Sequence, residues 1–345
     1  LSAAPTAEVF IDRLKAAGAK AADSGVVSAA RHLAMAQLKT VQSQQRDFLS
    51  AMQNKKSADW AVIYSMQRLF NGVVIRSTRD ELARIAALPQ VKAVWPVYLK
   101  RPDNTHSVPL LGAPEVWSEL GLDVTGRGVK VGVIDTGIDY VHTDFGGTGL
   151  ADDYAANDPA ALGDIAFPTP RVVGGYDFAG EEYNPEDSNH DTPVPDHDPM
   201  DYGSHGTHVS GTIGGGGVNT DGSSYVGPYN QSLDLSTFAV GPGVAPQCNL
   251  YALKVFGTGA SALAGQAVEW AVDPNGDSDF SDRLDVINLS LGGDYGNGAD
   301  FESQLYANAV ALGLIVVAAA GNSGDLNFIS GNPASNPDVI SVAAS

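Results

Sequence analysis

Residues 128–139 read GVKVGVIDTGID. The apolar run Val131–Ile134 ends abruptly at a carboxylate and a Thr-Gly turn. It reads as a buried strand, with Asp135 at its carboxyl end. Three more such runs follow: NLYALKVF (249–256), LDVINLSLGG (284–293) and LIVVAAAGN (314–322). Helical spacing appears between them in SALAGQAVEWAV (261–272) and ADFESQLYANAVAL (299–312). Apolar strands alternating with helices predict an α/β domain built on a mostly parallel sheet. Functional groups of such sheets sit at the carboxyl ends of the strands.

The rest of the chain sets bounds on this reading. Its 345 residues suit two domains, and 43% hydrophobic residues allow a real core. Twenty Lys plus Arg face 40 Asp plus Glu, a net charge of −20. That balance disfavours nucleic acid and anionic lipid as partners and favours divalent cations. The single cysteine, Cys248, excludes an internal disulfide. No apolar run reaches the length of a membrane span. The chain opens at Leu1 without an initiator Met or a basic leader, so a removed signal peptide and an extracellular location are expected.

Residues 1–100 have a different texture, with glycine only at 18, 25 and 72. Residues 27–53 predict a long helix, and WAVIYSMQRLFNGVVIRS predicts two apolar segments around Asn71-Gly72. TRDELARIAALPQ predicts a helix with Thr78 as N-cap and Glu81 completing a capping box, ending at Pro89. VKAVWPVYL (91–99) predicts a short strand. Together these make a small α+β unit, joined to the rest by a proline-bearing connector at 101–126.

Three residues carry candidate chemistry. Asp135 closes the first strand, His205 lies in GSHGTHVSG (203–211) at the head of a small-residue helix, and Asn322 follows VVAAAG. Alone, each has an ordinary structural reading: a helix cap, a hydrogen-bonding histidine, a turn residue. Three such placements in one α/β sheet suit nucleophilic acyl transfer. A buried carboxylate orients an imidazole, the imidazole takes a nucleophile's proton, and an amide donates to the oxyanion.

VGVIDTGID (131–139), GSHGTHVSG (203–211), GVAP (243–246), NLSLGG (288–293) and AAAGNSG (318–324) resemble the subtilisin-like serine proteases, in that family's order. The resemblance implies Asp135 and His205 as triad members and Asn322 as oxyanion donor. It implies that Ser290, Leu291 and Gly292 pair with substrate backbone, and that Ala318, Ala319 and Ala320 line a side-chain pocket. It further implies that residues 1–103 form a ferredoxin-like inhibitory prodomain. Residues 104–345 would then be the first part of a catalytic domain acting on protein or peptide substrates, with self-cleavage within 99–108.

One part of the pattern is missing. The family's serine lies in a Gly-Thr-Ser-Met-Ala-like segment after the Asn, and these residues stop at ISVAAS. Ser261 in GTGAS (257–261) precedes Asn322 and follows the wrong strand. The serine is therefore expected on a C-terminal remainder. Two rivals stand beside the protease: a catalytically dead scaffold of the same fold, and a calcium-dependent structural module.

Calcium is expected from DPNGDSDFSD (273–282), which offers oxygens at Asp273, Asn275, Asp277, Asp279 and Asp282, with Gly276 allowing a sharp turn. It is not an EF-hand, since no Glu closes the loop. Asp144 is a second candidate, through the resemblance. Residues 177–201 hold nine acids and no Lys or Arg. They read equally as a cation-binding or a solvated loop, with His190 and His197 on its surface and His208 structural in its helix.

Overall fold

The computed structural model describes residues 1–18, 21, 23–53, 60–97, 101–102, 111–118, 123–159, 161, 164–296, 300–324 and 329–343. The N-terminal unit contains helices α1 (Thr6–Ala17) and α2 (Ser24–Gln53), the antiparallel pair β1 (Trp60–Met66) and β2 (Gly72–Ser77), and helix α3 (Arg79–Ala86). α2 is the expected long helix. α1 was not anticipated, although Phe10, Ile11 and Leu14 keep helical spacing on its core-facing side.

Two expectations for this unit fail. Thr78 is the N-cap of α3, but its side chain makes no cap bond, and Glu81 pairs with Arg84 at 3.0 Å. The capping box is therefore not formed, and α3 ends at Ala86, before Pro89. Of the strand expected over 91–99, Val91–Val97 form no strand, and residues 98 and 99 lie outside the described residues. Pro96 has no N–H to give a ladder, and Trp95 instead packs edge-on against Phe70 at 5.9 Å.

After a two-residue strand β3 (Arg101–Pro102) and a short helix α4 (Ala113–Val116), the larger unit begins. Its elements are β4 (Lys130–Asp135), α5 (Ala151–Ala156), β5 (Val172–Asp177), α6 (His205–Gly214), β6 (Val218–Asn219), β7 (Phe238–Val240) and β8 (Asn249–Lys254). There follow α7 (Ala264–Ala271), β9 (Val286–Leu289), β10 (Leu291–Gly292), α8 (Phe301–Ala311), β11 (Ile315–Ala319) and β12 (Ile340–Val342). Six strands form one parallel sheet in the order β12-β11-β9-β4-β8-β5. The chain leaves β4 toward β8 and β5, then returns to build β9, β11 and β12 on the other side. That reversal opens a crevice at the carboxyl ends beside β4. β4 is central, and Val131 to Asp135 are all buried, as a sheet covered on both faces requires.

The N-terminal unit packs on α7 and α8, sharing one core with the larger unit. Phe10, Tyr64, Met66 and Leu69 join Leu263, Ala267, Val268 and Leu305 in that cluster. Polar contacts add direction. The buried Glu269 carboxylate accepts the N–H groups of Gln67, Arg68, Leu69 and Phe70 at 3.1, 2.8, 2.5 and 3.3 Å. Burial pushes its carboxyl upward, and the N–H groups of Arg68, Leu69 and Gln67 oppose the shift, as does the Arg68 charge. Arg31, Arg68 and Arg76 of the N-terminal unit pair with Asp279, Asp273 and Asp191 of the larger one.

Candidate active site

Asp135 ends β4 and is wholly buried. Its Oδ1 lies 2.8 Å from His205 Nδ1 and also accepts the Thr136 N–H at 2.7 Å. Burial pushes the Asp135 carboxyl above its ordinary range, and the His205 bond opposes that. An ionised carboxylate only accepts, so this contact fixes the proton on Nδ1 and leaves Nε2 as the basic nitrogen.

Two glycines permit the approach. Gly137 has φ of +109°, and a Cβ there would stand 2.5 Å from the Pro199 carbonyl oxygen. At Gly206 a Cβ would meet the Gly137 carbonyl oxygen at 2.2 Å. Only bare backbone lets α6 come this close to the turn after β4. The Gly206 N–H then donates to Thr136 Oγ1 at 2.8 Å, joining the two segments.

Asn322 sits past the end of β11, exposed in the turn after Gly321. β11 and β4 both flank β9, so Asn322 and Asp135 lie at the same edge of the sheet. Ser290, between β9 and β10, accepts the Asn288 side-chain amide at 2.9 Å. Leu291 and Gly292 form β10 and pair antiparallel with Pro102 and Arg101. Ala318 is buried in the core, while Ala319 and Ala320 are half-buried. Ser261 is buried, and its Oγ accepts the Leu263 N–H at 3.1 Å ahead of α7. Residues 99, 100 and 103–108 of the expected cleavage segment lie outside the described residues, as does the 103/104 boundary.

The metal candidates are arranged differently from expectation. In the 273–282 loop, Asn275, Asp277 and Asp279 fold back on the N–H groups of Asp277, Asp279 and Ser281. Asp273 takes Arg68 at 2.5 Å, and Asp279 takes Arg31. Asp144 is buried and accepts the Gly217 N–H at 2.7 Å; burial pushes its carboxyl upward. Among the described residues, no three His, Cys, Asp or Glu side chains are grouped to hold a metal ion. The oxygens Asp273 Oδ1 and Asp282 Oδ1 are buried without a hydrogen-bond partner among the described residues.

The 177–201 stretch is only partly solvated: residues 186, 188–190, 192, 194, 195 and 197 are exposed, but several of its acids are not. Asp177, Asp191, Asp198 and Asp201 are buried, as is Lys254 at the end of β8. Lys254 Nζ lies 3.1 Å from Asp177 Oδ2, contacts Glu181, and donates to the Met200 carbonyl at 2.9 Å. Burial lowers its pKa, but the Asp177 and Glu181 charges outweigh this, and the net shift is upward. Lys254 is the register partner of Asp135, so the stretch is anchored one strand from the site. His190 bonds Asp187 at 2.9 Å, His197 packs edge-on against Tyr176, and His208 is exposed on α6. Lys254 and Asp201 were missed in the sequence. A lysine inside an otherwise apolar strand, next to a lysine-free acidic stretch, was the available signal.

A model of the subtilase family matches residues 126–345. The minor extracellular protease Vpr of Bacillus subtilis is 29% identical over 301 residues, which is 81% of this chain and 30% of that protein. Subtilisin DY of Bacillus licheniformis is 34% identical over 245 residues, 69% of this chain and 63% of that one. The chain thus spans less than two thirds of either relative's own length. Among solved structures, fervidolysin from Fervidobacterium pennivorans, a keratinolytic enzyme related to subtilisin, matches with a TM-score of 0.50 at 18% identity. That match covers 87% of this chain and 41% of fervidolysin, and at such identity it speaks for the fold alone. The sheet order gives the α/β fold, and the family model covers well over half of the residues: the chain belongs to the subtilase family.

Proposed function

We propose that this chain carries the acid, the base and the oxyanion donor of a secreted serine endopeptidase made as a zymogen. The observation that carries the reading is the 2.8 Å contact between His205 Nδ1 and the buried Asp135 carboxylate. In the proposed reaction, His205 Nε2 takes the proton of a serine hydroxyl as its oxygen attacks a peptide carbonyl. Asp135 stabilises the imidazolium, and the Asn322 amide donates to the oxyanion. His205 then protonates the departing amine, and water resolves the acyl-enzyme by the same steps. The serine is proposed to lie beyond residue 345. A relative described as an extracellular protease supports the secreted location, and among the described residues no helix is long and apolar enough to cross a membrane.

The zymogen reading is supported by the pairing of Arg101 and Pro102 with Gly292 and Leu291. The segment implied to bind substrate backbone already holds an extended strand of this chain. The N-terminal unit buried on α7 and α8 is proposed to hold that strand in place until self-cleavage within 99–108. Calcium is proposed for the 273–282 loop only after Arg31 and Arg68 withdraw from it, since the loop as docked groups no metal site. Calorimetric titration of calcium into wild-type and Arg31→Ala/Arg68→Ala protein tests this; equal silence in both refutes it.

The test of function is peptide hydrolysis by the full protease. Replacing Asp135 with Asn is expected to lower kcat by about 10⁴, because the wrong imidazole tautomer is favoured. An unchanged kcat would overturn the assignment.

A further inference from the structure

Asp201 is buried, four residues before His205, and the proposed reaction gives it no role. Its carboxylate nevertheless makes four bonds around that histidine. Oδ1 accepts the N–H groups of Gly203 and Ser204 at 2.7 and 2.9 Å. Oδ2 accepts the N–H and the hydroxyl of Thr207 at 2.8 and 2.6 Å. Ser204, the N-cap of α6, has φ of +67° and offers no side-chain cap bond. A non-glycine residue in the left-handed region is strained and persists only when its surroundings impose it. Asp201 supplies both what Ser204 lacks and what holds Ser204 in place.

The bonds extend to the acid's side of the site. Because the Thr207 hydroxyl donates to Asp201, its oxygen is oriented to accept the Asp139 N–H at 2.9 Å. Asp139 lies in the turn following Asp135. The Tyr154 hydroxyl fixes the Asp201 carbonyl from α5 at 2.9 Å. One carboxylate therefore ties the turn before His205, the first turn of α6 and the loop after Asp135 into one unit.

We propose that Asp201 is a positioning residue for His205, holding the strained 203–207 turn so that the imidazole meets Asp135. The inference rests on the proposed role of His205 only for its catalytic meaning; the geometric claim stands apart from activity. Asp201 touches no reacting atom. It acts by imposing the backbone from which His205 projects, a task that four bonds to one buried carboxylate suit.

The test is a nuclear magnetic resonance measurement on the protein labelled with ¹⁵N-histidine, which needs no turnover. The Nδ1–H proton shared with Asp135 gives a low-field signal, assigned by its loss in His205→Gln. In Asp201→Asn, far-ultraviolet circular dichroism is expected to stay native. The low-field signal is expected to move upfield and exchange with water at least tenfold faster. Thr207→Ala removes only the hydroxyl bonds, and is expected to give a smaller change in the same direction, which keeps the test open if Asp201→Asn does not fold. Asp198→Asn is the control, because Asp198 is buried in the same stretch but bonds Tyr140 and Asn157 instead. An unchanged signal in Asp201→Asn or, failing its folding, in Thr207→Ala overturns the proposal. An equal change in Asp198→Asn does so too, since the effect would then be general loosening. Absence of peptide hydrolysis by the wild-type full protease, with its low-field signal present, would count against the proposed function instead.

Discussion

Replacing Glu269 with Gln removes one of the two oxygens on which the N-terminal unit hangs. Oε2 holds the N–H groups of Gln67 and Arg68, and Oε1 those of Leu69 and Phe70. An amide keeps one oxygen and turns an NH₂ toward the other pair, so two buried N–H groups lose their acceptor. Hydrogen bonds to a charged group contribute at least about 1.5 kcal/mol each, so the two sum to about 3 kcal/mol. Shape and volume are nearly conserved, which keeps a packing term out of the comparison. At 1.4 kcal/mol per tenfold, the docked state loses about 100-fold in its equilibrium constant. Hydrogen exchange reads this locally. The amides of residues 67–70 are expected to lose about two orders of magnitude of protection, while amides in the β4 core keep theirs. Protection of residues 67–70 within threefold of wild type would refute the claim that Glu269 holds this interface. Equal loss throughout the sheet would refute the claim that the effect is local.

The three arginine pairs are expected to rank by burial in the same assay. Arg68→Ala strands an Asp273 side chain with no exposure and costs about 3 kcal/mol, whereas Arg31→Ala and Arg76→Ala, whose side chains are 40% and 47% exposed, cost under about 1 kcal/mol each. Asn322→Ala is expected to lower kcat of the full protease by about 10² to 10³ with little change in KM; that magnitude is known for an oxyanion donor in a subtilisin and is borrowed here. Asp196 is pushed up to about 6, first by burial and then by the charge of Asp177, against a bond from the Asp198 N–H. Its folded pKa exceeds the unfolded one, so its contribution to stability is complete below the unfolded value, near 4, and is lost as pH rises through about 6. Asp196→Asn keeps the acceptor without the charge, so Tm should rise by about 2 °C at pH 8 and not at pH 4. An equal rise at both values would show that the charge is not the cause.

The sheet was legible in the sequence where burial is two-sided and dark where it is not. The four anticipated strands are β8, β4, β9 and β11, the inner four of the order. The two missed strands are its edges. β5 carries Gly174 and Gly175 in its middle, and Ile340, Ser341 and Val342 of β12 are all exposed. An edge strand needs neither a continuous apolar run nor strong propensity, because its neighbour holds it. The contact between Asp135 and His205 was legible because close approach demands glycine, leaving GSHG and DTG as visible marks. For the acidic stretches, composition does not show where a counter-charge comes from. Lys254 answers 177–201 from another strand, and arginines in a separate unit answer Asp273, Asp279 and Asp191. Such pairings join residues some 70 to 250 positions apart, and no local pattern records them.

The most direct test of the protease reading is a fluorophosphonate label on the full protein, with the N-terminal unit attached and after its release, located by peptide mass mapping. One labelled serine is expected in a peptide outside residues 1–345, with labelling that rises on release and is abolished by His205→Ala. No label in either state with the fold intact, or a label on Ser261, would contradict it.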